Sequence, residues 1–147
     1  MELEAKPRKE GWNWAKHRPN NCLNVPVTSQ KDFFKWWCVF QCPFVPLTNR
    51  EIDVVSAFLY ERFELSKIVQ DQEILDSQLM SDRVKERVME ACHITKAHFY
   101  VVMSALRKKH VVSEYGIHPK LIPNIRQDDN GYFQLLVLFK ETKSNDL

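Results

Sequence analysis

One stretch, residues 81–110, constrains the fold more than any other, because it predicts two helices joined by a very tight turn. Ser81 is a good residue to cap the first helix, since its hydroxyl can accept a hydrogen bond from a free backbone N–H of the first turn. Apolar residues then recur at three- and four-residue spacing and give the helix one apolar face: Val84, Val88 and Ala91 or Cys92.

The second helix of this pair is predicted to begin after Thr95, which can act as its N-cap. Its apolar face consists of Phe99, Val102, Met103 and Leu106. The helix is expected to end in the basic run Arg107–His110, because cations stabilise the negative end of a helix dipole.

The residues after this pair predict a small antiparallel sheet. Val111–Val112 indicates a short strand, and Tyr132–Phe139 is the strongest strand pattern in the chain. An antiparallel pair across the turn Asp128–Gly131 would form a wing. The chain thus has a helix, a short turn, a second helix and then a β-branched run. This is the order of elements in a helix-turn-helix with a wing. The predicted fold class is therefore α+β: a winged helix-turn-helix-like domain of three or four helices with a small antiparallel wing sheet. Another small α+β arrangement remains the alternative.

A further helix is predicted upstream by its start signals. Thr48 and Glu51 have the spacing of a capping box, and Leu47 and Ile52 that of a hydrophobic staple. The helix is predicted over residues 49–64, with the buried stripe Ile52, Val55, Leu59 and Phe63. A short helix over residues 71–79 is expected to link it to the helix pair.

Residues 1–46 are predicted to form a long, extended and aromatic-rich N-terminal arm, residues 47–140 the winged-helix-like domain, and residues 141–147 a polar tail. Phe33, Trp36, Trp37 and Phe40 have helical spacing, although the segment also fits a strand, and Pro43 ends it. These rings either pack across the domain or anchor a partner, since tryptophan and phenylalanine are enriched in protein interfaces. The candidate partner-docking residues are Trp12, Trp14, Phe33, Trp36, Trp37 and Phe40.

Several functional classes find no support in the sequence. The N-terminus has no secretory h-region, and no apolar run is long enough to span a bilayer, so neither secretion nor a membrane partner is expected. With three glycines, a phosphate-binding glycine loop is excluded. No nucleophile–base motif is visible, so we expect no enzyme, cofactor or small-molecule substrate. The cysteines lack a second ligand pair, so no metal site is expected and free thiols are the default: Cys22, Cys38, Cys42 and Cys92.

A basic cluster on the helix pair is the candidate nucleic-acid contact. Lys96 and His98 begin the second helix, where recognition helices place base-contacting side chains. Other basic residues could contact phosphates: Arg83, Lys85, Arg87, Arg107, Lys108 and Lys109. They could equally be solvated helix faces, because the net charge of +2 does not indicate a nucleic-acid binder. The second helix is also apolar at Phe99–Val102, which favours protein contact.

Three segments carry a resemblance to a known family: Leu47–Ile52, Ile94–Lys109 and Ile117–Pro123. They resemble a small winged-helix family of tailed phages, associated with the crAss-like phages of gut bacteria. The resemblance spans roughly residues 47–139 and implies a phage gene product in the virion or in the cytoplasm of the infected host.

Two functions compete within that resemblance. The first is a virion component, a structural protein that contacts other virion proteins or copies of itself. The second is a regulator of phage transcription or replication that binds double-stranded DNA. The fold alone does not choose between them, because winged helices do both. The aromatic arm favours the virion component.

Overall fold

The computed structural model describes residues 25–127, 133–135 and 140–142. Within these ranges the chain is α+β, with five α-helices followed by short antiparallel strand pairs. The helices are α1 (Gln30–Gln41), α2 (Asn49–Ser66), α3 (Gln72–Leu79), α4 (Asp82–Cys92) and α5 (Lys96–Lys108). The predicted order of four helices after residue 47 is confirmed, and the aromatic segment that fitted a helix or a strand is helix α1.

The strands form two separate hairpins. Strands β1 (Val112–Ser113) and β2 (Gly116–Ile117) pair antiparallel, with Val112 opposite Ile117. A 3₁₀ turn follows at Pro119–Leu121. Strands β3 (Ile125–Gln127) and β4 (Phe133–Leu135) also pair antiparallel, on either side of the predicted wing turn. That turn and most of the strand predicted over residues 132–139 lie outside the described residues. The β1–β2 pairing was not predicted.

The helix starts follow the sequence signals. The Thr48 hydroxyl accepts from the Glu51 N–H at 3.2 Å, and the Glu51 carboxylate accepts from the Thr48 N–H at 2.9 Å, which completes the predicted capping box. The hydroxyls of Ser81 and Thr95 cap α4 and α5 as expected. Because these bonds satisfy backbone donors that a helix leaves unpaired, the bounds of α2, α4 and α5 are set locally.

Histidine takes the place of glycine where the two helices of the pair end. His93 after α4 and His110 after α5 both have a left-handed backbone, with φ of 53° and 62°. After α4, the Ile94 N–H donates to the Met89 carbonyl and the His93 N–H to the Glu90 carbonyl. This is the Schellman arrangement, which usually uses glycine. The tight turn therefore forms without the glycine that helix-turn-helix turns often contain.

We expect His93→Gly to raise the free energy of unfolding by about 0.5–1 kcal/mol, because glycine adopts the left-handed backbone without a steric penalty. The His93 side chain is exposed, so the substitution removes no buried contact. Urea unfolding measures the change. His98→Gly is the matched control: it lies inside α5, where replacing histidine by glycine should cost about 0.3–0.5 kcal/mol. A loss of stability in both variants would contradict this explanation of the turn.

The core lies between α2 and the helix pair. All four predicted residues of α5 are buried, and so are Val84 and Val88 of α4. Of the two alternatives for the third position of α4, Cys92 is half-buried against the core and Ala91 is exposed. Helix α2 contributes Val54, Val55, Phe58 and Leu59. Of the predicted α2 stripe, Val55 and Leu59 are buried, while Ile52 and Phe63 are half-buried at its edges. The rings of Phe58 and Phe99 lie 6.2 Å apart at the centre.

Helix α1 packs on α2 through one face. Phe34 and Cys38 are buried there, and the Phe34 ring lies 5.8 Å from that of Phe63 and 6.4 Å from that of Tyr60. The predicted boundary at residue 46 is not tested, but the described part of the predicted arm contributes side chains to the core. Because α1 is held against α2, the side of α1 that points away from α2 is a surface of a well-packed helix.

Helix α3 connects α2 to the first hairpin. Arg62 of α2 donates to Asp76 at 3.2 Å and to Gln72 at 2.7 Å. The hairpin approaches Asp76 so closely that a Cβ on Gly116 would lie 3.2 Å from the Asp76 Cβ. Gly116 also has a φ of 122°, which side-chain-bearing residues rarely adopt. The position of the β1–β2 hairpin therefore depends on glycine at this point.

Candidate functional site

Four large apolar side chains are exposed along the outward side of α1 and the turn after it. The exposed fractions are 51% for Trp36, 47% for Val39, 52% for Phe40 and 74% for Phe44. We call these four residues the α1 stripe. With aromatic side chains of about 150–250 Å² each, they expose roughly 400 Å², which is the size of a patch that often has a function.

Trp37, which lies next to the stripe, holds part of it in place through two contacts. The Trp37 indole N–H donates to the Leu121 carbonyl at 2.8 Å, which holds α1 to the 3₁₀ turn. The Trp37 ring stacks with the Phe40 ring at a centroid distance of 6.4 Å and an angle of 28°. Phe40 is therefore supported in its exposed position, and little conformational entropy is lost when a partner covers it.

The stripe lies in a stretch without charge. From Trp36 to Leu47 the chain contains no Asp, Glu, Lys or Arg. The nearest preceding cation, Lys35, lies 3.6 Å from the carboxylate of Asp53 on α2. A surface that exposes aromatic rings and no charge is suited to an apolar protein surface, since charged residues are depleted at interface cores.

The predicted partner-docking residues divide into three groups. Trp36 and Phe40 are exposed on the stripe, whereas Phe33 and Trp37 are half-buried against the core. Trp12 and Trp14 lie outside the described residues. The prediction did not include Val39 or Phe44, although Phe44 continues the four-residue spacing of Trp36 and Phe40 through the turn that follows α1.

The predicted basic cluster is spread over the two ends of α5. Lys96 and His98 are exposed at its start, and Arg107 and Lys108 at its end. The exposed face between them carries Ala97, Tyr100, Val101 and Ser104, with Val101 67% exposed. That face has no charge and a single hydroxyl-bearing aromatic ring, so it differs from a typical base-reading helix.

Two of the eight predicted basic residues are engaged within the chain. The Lys109 ammonium binds the Glu51 carboxylate and the Pro46 carbonyl, and Arg87 lies 3.5 Å from Glu61 of α2. Arg83 is exposed and Lys85 is half-buried on α4. In the described ranges, these two and the four basic residues at the ends of α5 make no ion pair.

Glu51 is buried apart from 6% of its side chain, yet it stays close to a cation. Burial acts to raise the pKa of its carboxyl, but hydrogen bonds from Lys109 and Thr48 outweigh burial and hold the pKa below its usual value. Lys109 is thereby a bridge between the end of α5 and the start of α2.

Three of the four cysteines lie in the described residues, and all three are free thiols: Cys38, Cys42 and Cys92. Burial and the neighbouring Cys42 raise the pKa of the Cys38 thiol to about 12, and burial also raises the pKa of Cys92. High thiol pKa values disfavour both nucleophilic attack and metal binding, which need the thiolate. Among the described residues, no group of three or more His, Cys, Asp or Glu could hold a metal ion.

An open groove of about 700 Å³ lies beside the β1–β2 hairpin. Its polar lining mixes Arg107, His110 and His118 with the acids Asp76 and Glu114. Asp76 is already bound by Arg62, and the His118 ring accepts from the Lys120 N–H. Because the lining mixes both signs of charge and two of its polar side chains are already engaged, the α1 stripe is the stronger candidate site.

No family model, no curated protein and no solved structure matches this chain. Among the helices described, none has both the length and the apolar character needed to cross a bilayer. The resemblance to the phage winged-helix family stays a prediction.

Proposed function

We propose that this chain is a non-enzymatic structural or assembly protein of a tailed phage, a virion component that works through protein–protein contacts. The observation that carries the proposal is the α1 stripe: three aromatic rings and one valine exposed on α1 and the turn after it, in a stretch without charge. The phage setting comes from the sequence resemblance, and the stripe supports the contact role.

The element order supports a winged-helix description of the rest of the domain. Helices α2, α4 and α5 enclose one core, α4 and α5 are joined by the three residues His93–Thr95, and hairpins follow α5 directly. In this proposal the winged-helix domain is the rigid part of the protein on which α1 and its stripe are packed. The outer face of α5 has no charge, so it differs from a base-reading surface.

Particles of the encoding phage provide the test. We expect the chain to be present at a fixed ratio to the major capsid protein in stringently washed particles, as measured by quantitative mass spectrometry. A phage carrying Phe40→Glu should lose the chain from its particles. Val101→Glu is the matched control, since it introduces the same charge at an exposed apolar position on α5. Absence of the wild-type chain from particles, with abundance in infected cells, would refute the proposal.

The alternative function is duplex DNA binding, and one observation favours it. Lys96, Arg107 and Lys108 are exposed and unpaired within the described ranges, as a phosphate-binding surface requires. For the structural role we expect Lys96→Glu and Arg107→Glu to leave the incorporation of the chain into particles unchanged. If each variant instead abolishes a salt-dependent affinity, the regulator is the correct function. Lys109 is unsuitable for this test because it stabilises the fold through Glu51.

A further inference from the structure

We infer that the α1 stripe docks on the α1 stripe of a second copy of this chain, in an antiparallel two-fold contact centred on Phe40. The inference rests on the proposed contact function and names the occupant of that same surface.

The spacing of the aromatic rings is symmetric about Phe40. Trp36 lies four residues before Phe40, and Phe44 lies four residues after it. When two such segments pack antiparallel about a two-fold axis at Phe40, the Phe40 rings meet each other and Trp36 meets Phe44 of the second copy. A two-fold interface requires a self-complementary patch of this kind.

The charges nearest the stripe do not oppose this arrangement. All residues from Trp36 to Phe44 are uncharged, so the facing segments contain no like-charge pair. The position opposite Lys35 is Val45 of the second copy, and the two copies of Lys35 are about 15 Å apart along the helix at 1.5 Å per residue. This distance exceeds the Debye length of about 8 Å at physiological salt. Asp53 further neutralises Lys35 within each copy.

The size of the stripe sets the expected strength. Roughly 400 Å² per copy is about half of the ~800 Å² that each partner contributes to a standard interface. We therefore expect a weak, reversible dimer that forms only at the higher protein concentrations. A weak dimer of this kind forms where the local concentration of the chain is high, as between neighbouring subunits of an assembly.

Sedimentation equilibrium on the full chain, from about 5 to 500 µM, tests the inference. We expect the average mass to rise from one chain towards two. Phe40→Glu should weaken the dimer at least tenfold, because it places two carboxylates together at the axis, while Val101→Glu should leave it unchanged. Circular dichroism and urea unfolding verify that both variants remain folded. A mass of one chain at every concentration, or a dimer unaffected by Phe40→Glu, would overturn the inference.

Cross-linking tests the geometry. The variants are made in a background with Cys22→Ser and Cys42→Ser. Under mild oxidation, two Phe40→Cys chains should be joined by a disulfide between their substituted positions, and two Val101→Cys chains should not. A mixture of Trp36→Cys and Phe44→Cys chains should cross-link more readily than either variant alone. Equal cross-linking in all of these samples would refute the antiparallel two-fold contact.

Two further results separate this inference from the proposed function. If the wild type is a monomer and a Trp12→Ala, Trp14→Ala double variant dimerises, residues 1–24 cover the stripe in cis and the inference is wrong. If the wild type never dimerises but Phe40→Glu still removes the chain from particles, a different virion protein occupies the stripe. The proposed function would then stand without the self-contact.

Discussion

Phe99→Ala is expected to lower the free energy of unfolding by about 3–5 kcal/mol, the range for truncating a buried phenylalanine. The Phe99 ring is fully buried, lies 6.2 Å from the Phe58 ring, and meets Tyr100 edge-on at 5.3 Å. It is the first core residue of α5 and connects that helix to α2. Alanine would leave a cavity between the two helices, and the close-packed core can collapse around it only in part.

The matched control for this variant is Val101→Ala, two residues further along α5. Val101 is 67% exposed, so its truncation should change stability by less than about 0.5 kcal/mol. Urea unfolding of the wild type and both variants measures the difference. If Phe99→Ala costs less than about 1 kcal/mol, α5 does not pack on α2 as described.

Lys109→Met is expected to cost about 2–3 kcal/mol at neutral pH. It leaves the buried Glu51 carboxylate without its cation while preserving most of the apolar length of the side chain. Breaking a fully buried ion pair costs about 3–5 kcal/mol, and the value here is lower because a third of the Lys109 side chain reaches water. The loss would separate the end of α5 from the start of α2.

The cost of Lys109→Met should depend on pH in a defined direction. The folded-state pKa of Glu51 is held below its ordinary value of 4.5, so the stability that the carboxylate contributes is fully present above that pH. It is lost as the pH falls through the folded pKa. The difference between wild type and variant should therefore be largest near pH 7 and shrink as acid protonates Glu51, which in the wild type happens only below pH 4.5.

Lys108→Met is the control for the ion pair, because Lys108 is the adjacent lysine, is exposed, and forms no ion pair in the described ranges. We expect it to change stability by less than about 0.5 kcal/mol at any of these pH values. Equal losses for the two lysines, or a Lys109→Met cost that is independent of pH, would contradict the role assigned to Glu51.

The features that the sequence predicted correctly depend on residues close together in the chain. The Thr48–Glu51 capping box and the caps Ser81 and Thr95 each involve partners three residues apart. The apolar periodicity of α4 and α5 is likewise a local pattern, and both buried faces match it. The predicted start of α3 at residue 71 lies one residue before the observed start, since Asp71 caps a helix that begins at Gln72.

What could not be predicted depends on partners that are distant in sequence. Glu51 was recognised as a cap residue, but its second partner, Lys109, lies 58 residues away. Lys109 and Arg87 resemble the other basic residues in sequence, and only their acidic neighbours on α2 distinguish them. Similarly, the aromatic spacing of α1 could not show which rings face α2. His93 was missed because a left-handed turn normally signals itself with glycine.

The hydrogen bond from Trp37 to Leu121 joins residues 84 positions apart, and this has a consequence during synthesis. At about 5–20 residues per second, Leu121 is added roughly 4–17 s after Trp37. Through that interval α1 lacks the contact that ties Trp37 to the 3₁₀ turn, so the support of the exposed Phe40 ring is completed only late in synthesis.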